Sequence, residues 1–206
     1  MENIIRKGLF IALFFISSVL SAQKQTARET AFYKSYEAEK TAKYTLAINE
    51  LNKVYVANEY FDNIRLGWLH YLNKDYKKSE VYYLKSIRLK PYSIEARFGI
   101  MKPYSATEQW DKVEAEYKQI LKIDPQNTVA NYWLGVIYYN RQDYAPALKL
   151  FEKVVNLYPL DYDSLLMLAW TKLNLAAMSD AKLLFHQVLT IQPNSESAIA
   201  GLKLIK

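Results

Sequence analysis

Two histidines, 21 aspartates and glutamates and no cysteine make up the stock of side chains able to do acid–base, metal or nucleophilic chemistry in this 206-residue chain. A metal needs three or four such ligands converging on one point. His70 and His186 lie on different helical segments. The phase of its segment turns His70 toward a core and His186 toward solvent. Glu114, Glu116, Asp161 and Asp163 are close in sequence, but they occupy surface or helix-start positions, where a solvated face or a cap accounts for them. No serine sits in a strained-turn motif. With five glycines in the whole chain there is no glycine-rich phosphate loop. The sequence thus offers no support for a catalytic centre, a cofactor or a metal site.

The abundant side chains have a different chemistry. The chain holds 18 tyrosines, 8 phenylalanines and 4 tryptophans, with 51% hydrophobic and 23% charged residues. That balance is globular rather than disordered. Rigid aromatics give large contact areas with few rotors to freeze, the chemistry of binding surfaces.

The elements that must position them follow from the prolines. Pro91, Pro125, Pro159 and Pro193 are spaced 34 residues apart without slippage. A constant period between about 20 and 50 residues marks a stacked repeat, in which each unit buries its neighbour's apolar face. The units run 60–93, 94–127, 128–161 and 162–195. Each carries two apolar patterns at helical spacing separated by a break. In 128–161 the first is Leu134, Gly135 and Tyr138, and the second is Tyr144, Ala147, Phe151 and Val154. Small residues (Gly67, Gly135, Ala169; Ser79, Ala147, Ala181) let helices approach, and Tyr83, Tyr117, Phe151 and Phe185 fill the wedges between them. Asp75 and Asp143 are expected to cap the second helices. Pro103 inside a first helix predicts a bend or early break near residue 102. Pro146, in a first turn, is tolerated.

A degenerate unit, two residues short and without its proline, covers 28–59. Ala31, Ser35 and Ala38 hold its first-helix positions, and Tyr44, Ala47, Leu51 and Val54 its second. Residues 196–206 read as a capping helix with a lysine-bearing outer side.

The L-G-x-x-Y, A-x-x-x-F and terminal P spacing over 28–195, best seen in LGVIYY at 134–139 and DYAPALKLFEKVVNLYP at 143–159, closely resembles the tetratricopeptide repeat family. The resemblance implies an all-α, right-handed superhelical solenoid of antiparallel helix pairs, about five units plus the capping helix. It also implies a non-catalytic scaffold whose first helices line a concave groove. By position that groove comprises Ile64, Trp68, Tyr71, Phe98, Lys102 and Ser105, then Tyr132, Val136, Tyr139 and Asn140, then Leu166, Trp170 and Asn174. Ile64, Trp68, Trp133 and Val136 occupy positions where one subclass of the family carries a carboxylate clamp, so that clamp is absent. The expected partner is a protein or peptide with a hydrophobic or aromatic segment. The alternative is a cell-wall or surface polysaccharide held for a partner enzyme.

Residues 1–22 read as a secretory signal: Arg6 and Lys7, then an apolar run from Gly8 to Val19, then Ser21 and Ala22 as small residues for cleavage. A spanning helix needs about 20 apolar residues, so a retained anchor is the weaker reading. Domain 23–206 is expected to be exported and periplasmic, with no spanning segment after cleavage. The net charge of +6 is mild. Lysines on the second helices mix with glutamates, which argues against nucleic acid. The basic stretch Lys77 to Lys90 is the place for peripheral contact with an anionic surface.

Overall fold

The computed structural model describes residues 26–205; the signal-like segment at 1–22 lies outside them. The described residues form eleven helices and no strand. They divide into two compact units, residues 26–107 and 108–205.

The first unit contains α1 (residues 26–40), α2 (Tyr44–Asn52), α3 (Tyr60–Leu72), α4 (Tyr76–Leu89) and α5 (Ile94–Ala106). The second contains α6 (Trp110–Ile123), α7 (Thr128–Asn140), α8 (Tyr144–Leu157), α9 (Tyr162–Asn174), α10 (Met178–Ile191) and α11 (Glu196–Leu204). Within the units, first helices pack on their own second helix and on the next first helix: α3 on α4 and α5, α7 on α8 and α9, α9 on α10 and α11.

The wedge residues do what their size and spacing demand. The Tyr83 ring of α4 lies against both Gly67 and Gly99, so α3 and α5 close on it from two sides. Phe185 of α10 meets Gly201 of α11 in the same way. Phe151 and Phe185 are fully buried beside the small Ala147 and Ala181. A β-carbon at Gly135 would stand 2.8 Å from the Phe151 ring, so the site admits only hydrogen. In the degenerate first hairpin Ala31, Ser35, Ala38, Ala47 and Leu51 are buried. Its second helix is shortened to 9 residues against 14 for α4, α6, α8 and α10.

Three further features recur with the period. The first helices α5, α7, α9 and α11 are capped by Ser93, Asn127, Asp161 and Ser195, whose side chains accept from the amides of Ala96, Ala130, Ser164 and Ala198 at 3.0–3.3 Å. The cap serines are shared. Ser93 also meets the Tyr60 hydroxyl at 2.5 Å and Ser195 the Tyr162 hydroxyl at 2.7 Å, each from the preceding hairpin. The turns place Ala42, Lys74, Glu108, Gln142 and Ala176 at φ of 56–61°. Glycine is the usual occupant of such a left-handed position after a helix, and none stands here. Finally, Asn63, Arg97 and Asn131 donate to the carbonyls of Ala57, Pro91 and Pro125, each six residues back. The fourth equivalent is Leu165, and there Gln187 reaches the Pro159 carbonyl instead.

Two local expectations are corrected. Asp75 caps α4, accepting from the Lys78 amide at 3.2 Å, but Asp143 makes no side-chain cap bond to α8. The residue at the Lys78 position is Pro146, which has no N–H to donate. Nor does α5 break near residue 102: it runs through Pro103 to Ala106. Pro103 brings no N–H for the Gly99 carbonyl, yet α5 continues for three residues beyond it. The Thr107 hydroxyl takes up the Pro103 carbonyl at 2.8 Å.

Candidate functional site

The predicted groove residues sit on α3 and α5 in the first unit and on α7 and α9 in the second. Ile64, Trp68, Tyr71, Phe98, Tyr132, Val136, Tyr139, Leu166 and Trp170 are half-buried, as is Ser105; Lys102, Asn140 and Asn174 are exposed. Within each unit these positions share a face because one first helix repeats the next at a 34-residue offset, so Lys102 meets Trp68 in the first unit and Asn174 meets Tyr139 in the second.

In the first unit the indole of Trp68 donates to Glu39 of α1 at 2.7 Å. The Tyr71 ring lies 5.7 Å away, and the Lys102 ammonium of α5 stands 5.4 Å above the indole. Glu39 also pairs with the buried Arg65, whose guanidinium stacks on Tyr36 at 3.9 Å. A row of acid, indole and ammonium thus runs over three successive first helices. Cation–indole contact of this kind contributes about 0.5–1 kcal/mol at exposed sites.

In the second unit the Asn174 amide donates to the Tyr139 hydroxyl at 3.1 Å and to the Trp170 carbonyl at 2.9 Å. Trp170 donates its indole N–H to Ser197 of α11 at 2.9 Å and meets Phe185 edge-on at 5.2 Å. Burial pushes the Tyr139 hydroxyl above its ordinary pKa, with the Asn174 bond pulling the other way. Tyr132 and Val136 pack against the cluster around Phe151, and Leu166 against the one around Phe185. Asn140 ends α7.

Glu39 and Ser197 escaped the sequence reading, since they lie in the degenerate first unit and the capping helix, where the repeat pattern fades. They stand 29 and 27 residues from their tryptophans, short of the 34-residue period, so the repeat spacing does not pair them. His70 is buried and stacks on Tyr82 at 5.3 Å, while His186 is exposed. Burial raises the Glu114 carboxyl, but hydrogen bonds from Lys118 and Arg141 outweigh it and hold the pKa below the usual range. Among the described residues no cluster of three or more histidines, aspartates or glutamates could hold a metal ion, and no helix is long and apolar enough to cross a membrane.

Hairpins that bury one another's faces, with aromatic rows on the first helices and no convergent polar centre on them, define a helical-repeat interaction scaffold. Residues 63–93 and 129–161 each match the tetratricopeptide repeat. The chain thus carries tetratricopeptide repeats.

Its fold is similar, over 87% of its length, to 72% of a tetratricopeptide repeat protein from Parabacteroides merdae, with a TM-score of 0.72 and 16% identity. It is similar over 92% of its length to 97% of YrrB, described as a TPR protein with an unusual peptide-binding site, with a TM-score of 0.67 and 14% identity. A 91-residue stretch, 44% of this chain, is 29% identical to anaphase-promoting complex subunit 3 of Schizosaccharomyces pombe. That stretch spans only 14% of the yeast protein.

Proposed function

We propose that this protein is an exported, non-catalytic adaptor that holds a hydrophobic or aromatic segment of a protein partner against the first helices of its hairpins. The observation that carries this reading is the half-buried row of aromatics: Trp68 with Tyr71 on α3, and Tyr139 with Trp170 on α7 and α9. Their polar edges are tied to neighbours while part of each ring stays accessible, so the surface is held ready before a partner arrives. Preorganisation lowers the entropy cost of binding. The peptide-binding site described for YrrB supports a peptide ligand for a fold of this kind. The sequence of residues 1–22 supports export to the periplasm, and the lysine-rich α4 supports a weak peripheral contact with an anionic surface.

The test is capture of partners from an envelope extract by the parent chain and by a Trp68→Leu, Trp170→Leu double variant. Helicity unchanged with capture lost supports the adaptor. Unfolding of the double variant would assign those indoles to packing alone, and retention on purified glycan without protein capture would overturn the reading. N-terminal sequencing of the protein from cell fractions should give a start at Ala22 or Gln23.

A further inference from the structure

The second unit carries a cleft of about 400 Å³ where the start of α7, the end of α8 and the start of α9 meet. Its walls join three aromatics, Tyr132, Trp133 and Tyr158, to two carboxylates, Asp161 and Asp163, and to Ser164. Tyr132 is braced by Phe151 at 6.0 Å, and the Trp133 ring stands edge-on to it at 5.2 Å. Trp133 remains 48% exposed and Tyr158 59% exposed, large values for aromatics with so much apolar surface. No lysine or arginine lines the cleft. One oxygen of Asp161 is used in capping α9. Asp163 is exposed, in the first turn of α9. Ser164 is 1% exposed, lines the same cleft, and its hydroxyl has no hydrogen-bond partner. Leaving a buried hydroxyl without a partner is unfavourable, and a donor brought by a ligand would relieve it.

Aromatic faces and carboxylates around one opening attract a cation that can also stack. We propose that this cleft takes an arginine side chain of a partner's peptide segment. The guanidinium lies against Trp133 and Tyr158, with Asp163 as counter-ion and a donor within reach of Ser164. The inference goes beyond the aromatic-groove reading. It adds an acidic anchor for a cationic side chain, and it stands on the second unit alone. A planar guanidinium suits it better than an ammonium, because it stacks and donates at once.

The indole N–H signals of the four tryptophans report the outcome directly in a nitrogen-15 NMR titration, with the Trp133 signal assigned from its loss in Trp133→Phe. N-acetyl-arginine amide should shift the Trp133 signal saturably and leave those of Trp68 and Trp170 in place. N-acetyl-citrulline amide, nearly the same shape without the charge, should bind at least about tenfold more weakly. Asp163→Asn, which spares the cap made by Asp161, should weaken the arginine amide by a similar factor. Equal binding of citrulline, or shifts spread over all the indoles, would overturn the proposal. So would a Trp133 response to N-acetylglucosamine in place of arginine, which would make the cleft a sugar site. Failure of the groove reading shows elsewhere, in the Trp68 and Trp170 variants, so the two are separable.

Discussion

The side-chain amide of Asn131 donates to the Pro125 carbonyl at 3.1 Å and to the Asn127 carbonyl at 2.9 Å, tying the start of α7 to the turn before it. Asn63 makes the corresponding pair of bonds to Ala57 and Glu59. Proline directs the chain out of the second helix, and its carbonyl then accepts from a side-chain donor that follows. Leu165, the residue at that position in the next hairpin, has none, and Gln187 supplies it from outside.

Asn131→Leu should therefore lower stability by about 0.5–1.5 kcal/mol, the net worth of a typical hydrogen bond. Lys153 occupies the position that Gln187 holds one hairpin later. Adding Lys153→Gln to Asn131→Leu should recover part of the loss, read as an upward shift in the urea midpoint. No recovery would mean that Asn131 acts through packing rather than through the carbonyl.

A left-handed backbone costs a residue with a side chain roughly 1 kcal/mol or more. Gln142→Gly should relieve that at φ 61°, giving a net gain of about 0.5–1 kcal/mol after the extra chain entropy of glycine. Gln142→Val should lose more than that. Denaturation curves for the pair should move in opposite directions with unchanged slopes.

Tyr83 reads the distance between α3 and α5. A methyl at Gly99 would overlap its ring, whereas one at Gly67 would meet it at 3.0 Å. Gly99→Ala should cost about 1–3 kcal/mol, as overpacking of a filled core does, and Gly67→Ala less. Combining Gly99→Ala with Tyr83→Leu should cost less than the two singles added, a coupling that a double-mutant cycle measures.

His70 makes stability depend on pH in a known direction. Burial pushes its imidazole below the ordinary value, and Asp75, 3.5 Å away, opposes this without prevailing. The unfolded chain then binds the proton more readily than the folded one. The contribution of the neutral ring is complete above about pH 6.5 and is lost as pH falls toward the folded value. His70→Tyr, the residue type common at that repeat position, should flatten thermal stability between pH 7 and pH 5. A variant with the parent's profile would exclude His70 as the source.

The hairpins and wedges were legible because size and period act together: a large ring every 34 residues needs a small residue opposite. The caps at Ser93, Asn127, Asp161 and Ser195 follow the same period, two residues after each proline, yet good capping residues are common enough that only geometry singles them out. Asp143 shows the limit of residue type alone. A cap is a pair, and Pro146 removes the second member. Contacts such as Glu39 with Trp68 depend on how adjacent first helices cross, which a linear pattern does not encode. The cleft beside Trp133 draws on three helices whose ends converge only in space.

The double duty of Ser93 and Ser195 bears on how the protein comes apart. Each hydroxyl starts one helix and is steered by a tyrosine from the hairpin before it. When the earlier hairpin melts, the later one loses the group that orients its own first turn. Within each unit, loss of order then passes from one hairpin to the next, and such neighbours share one melting transition where independent modules would fray separately.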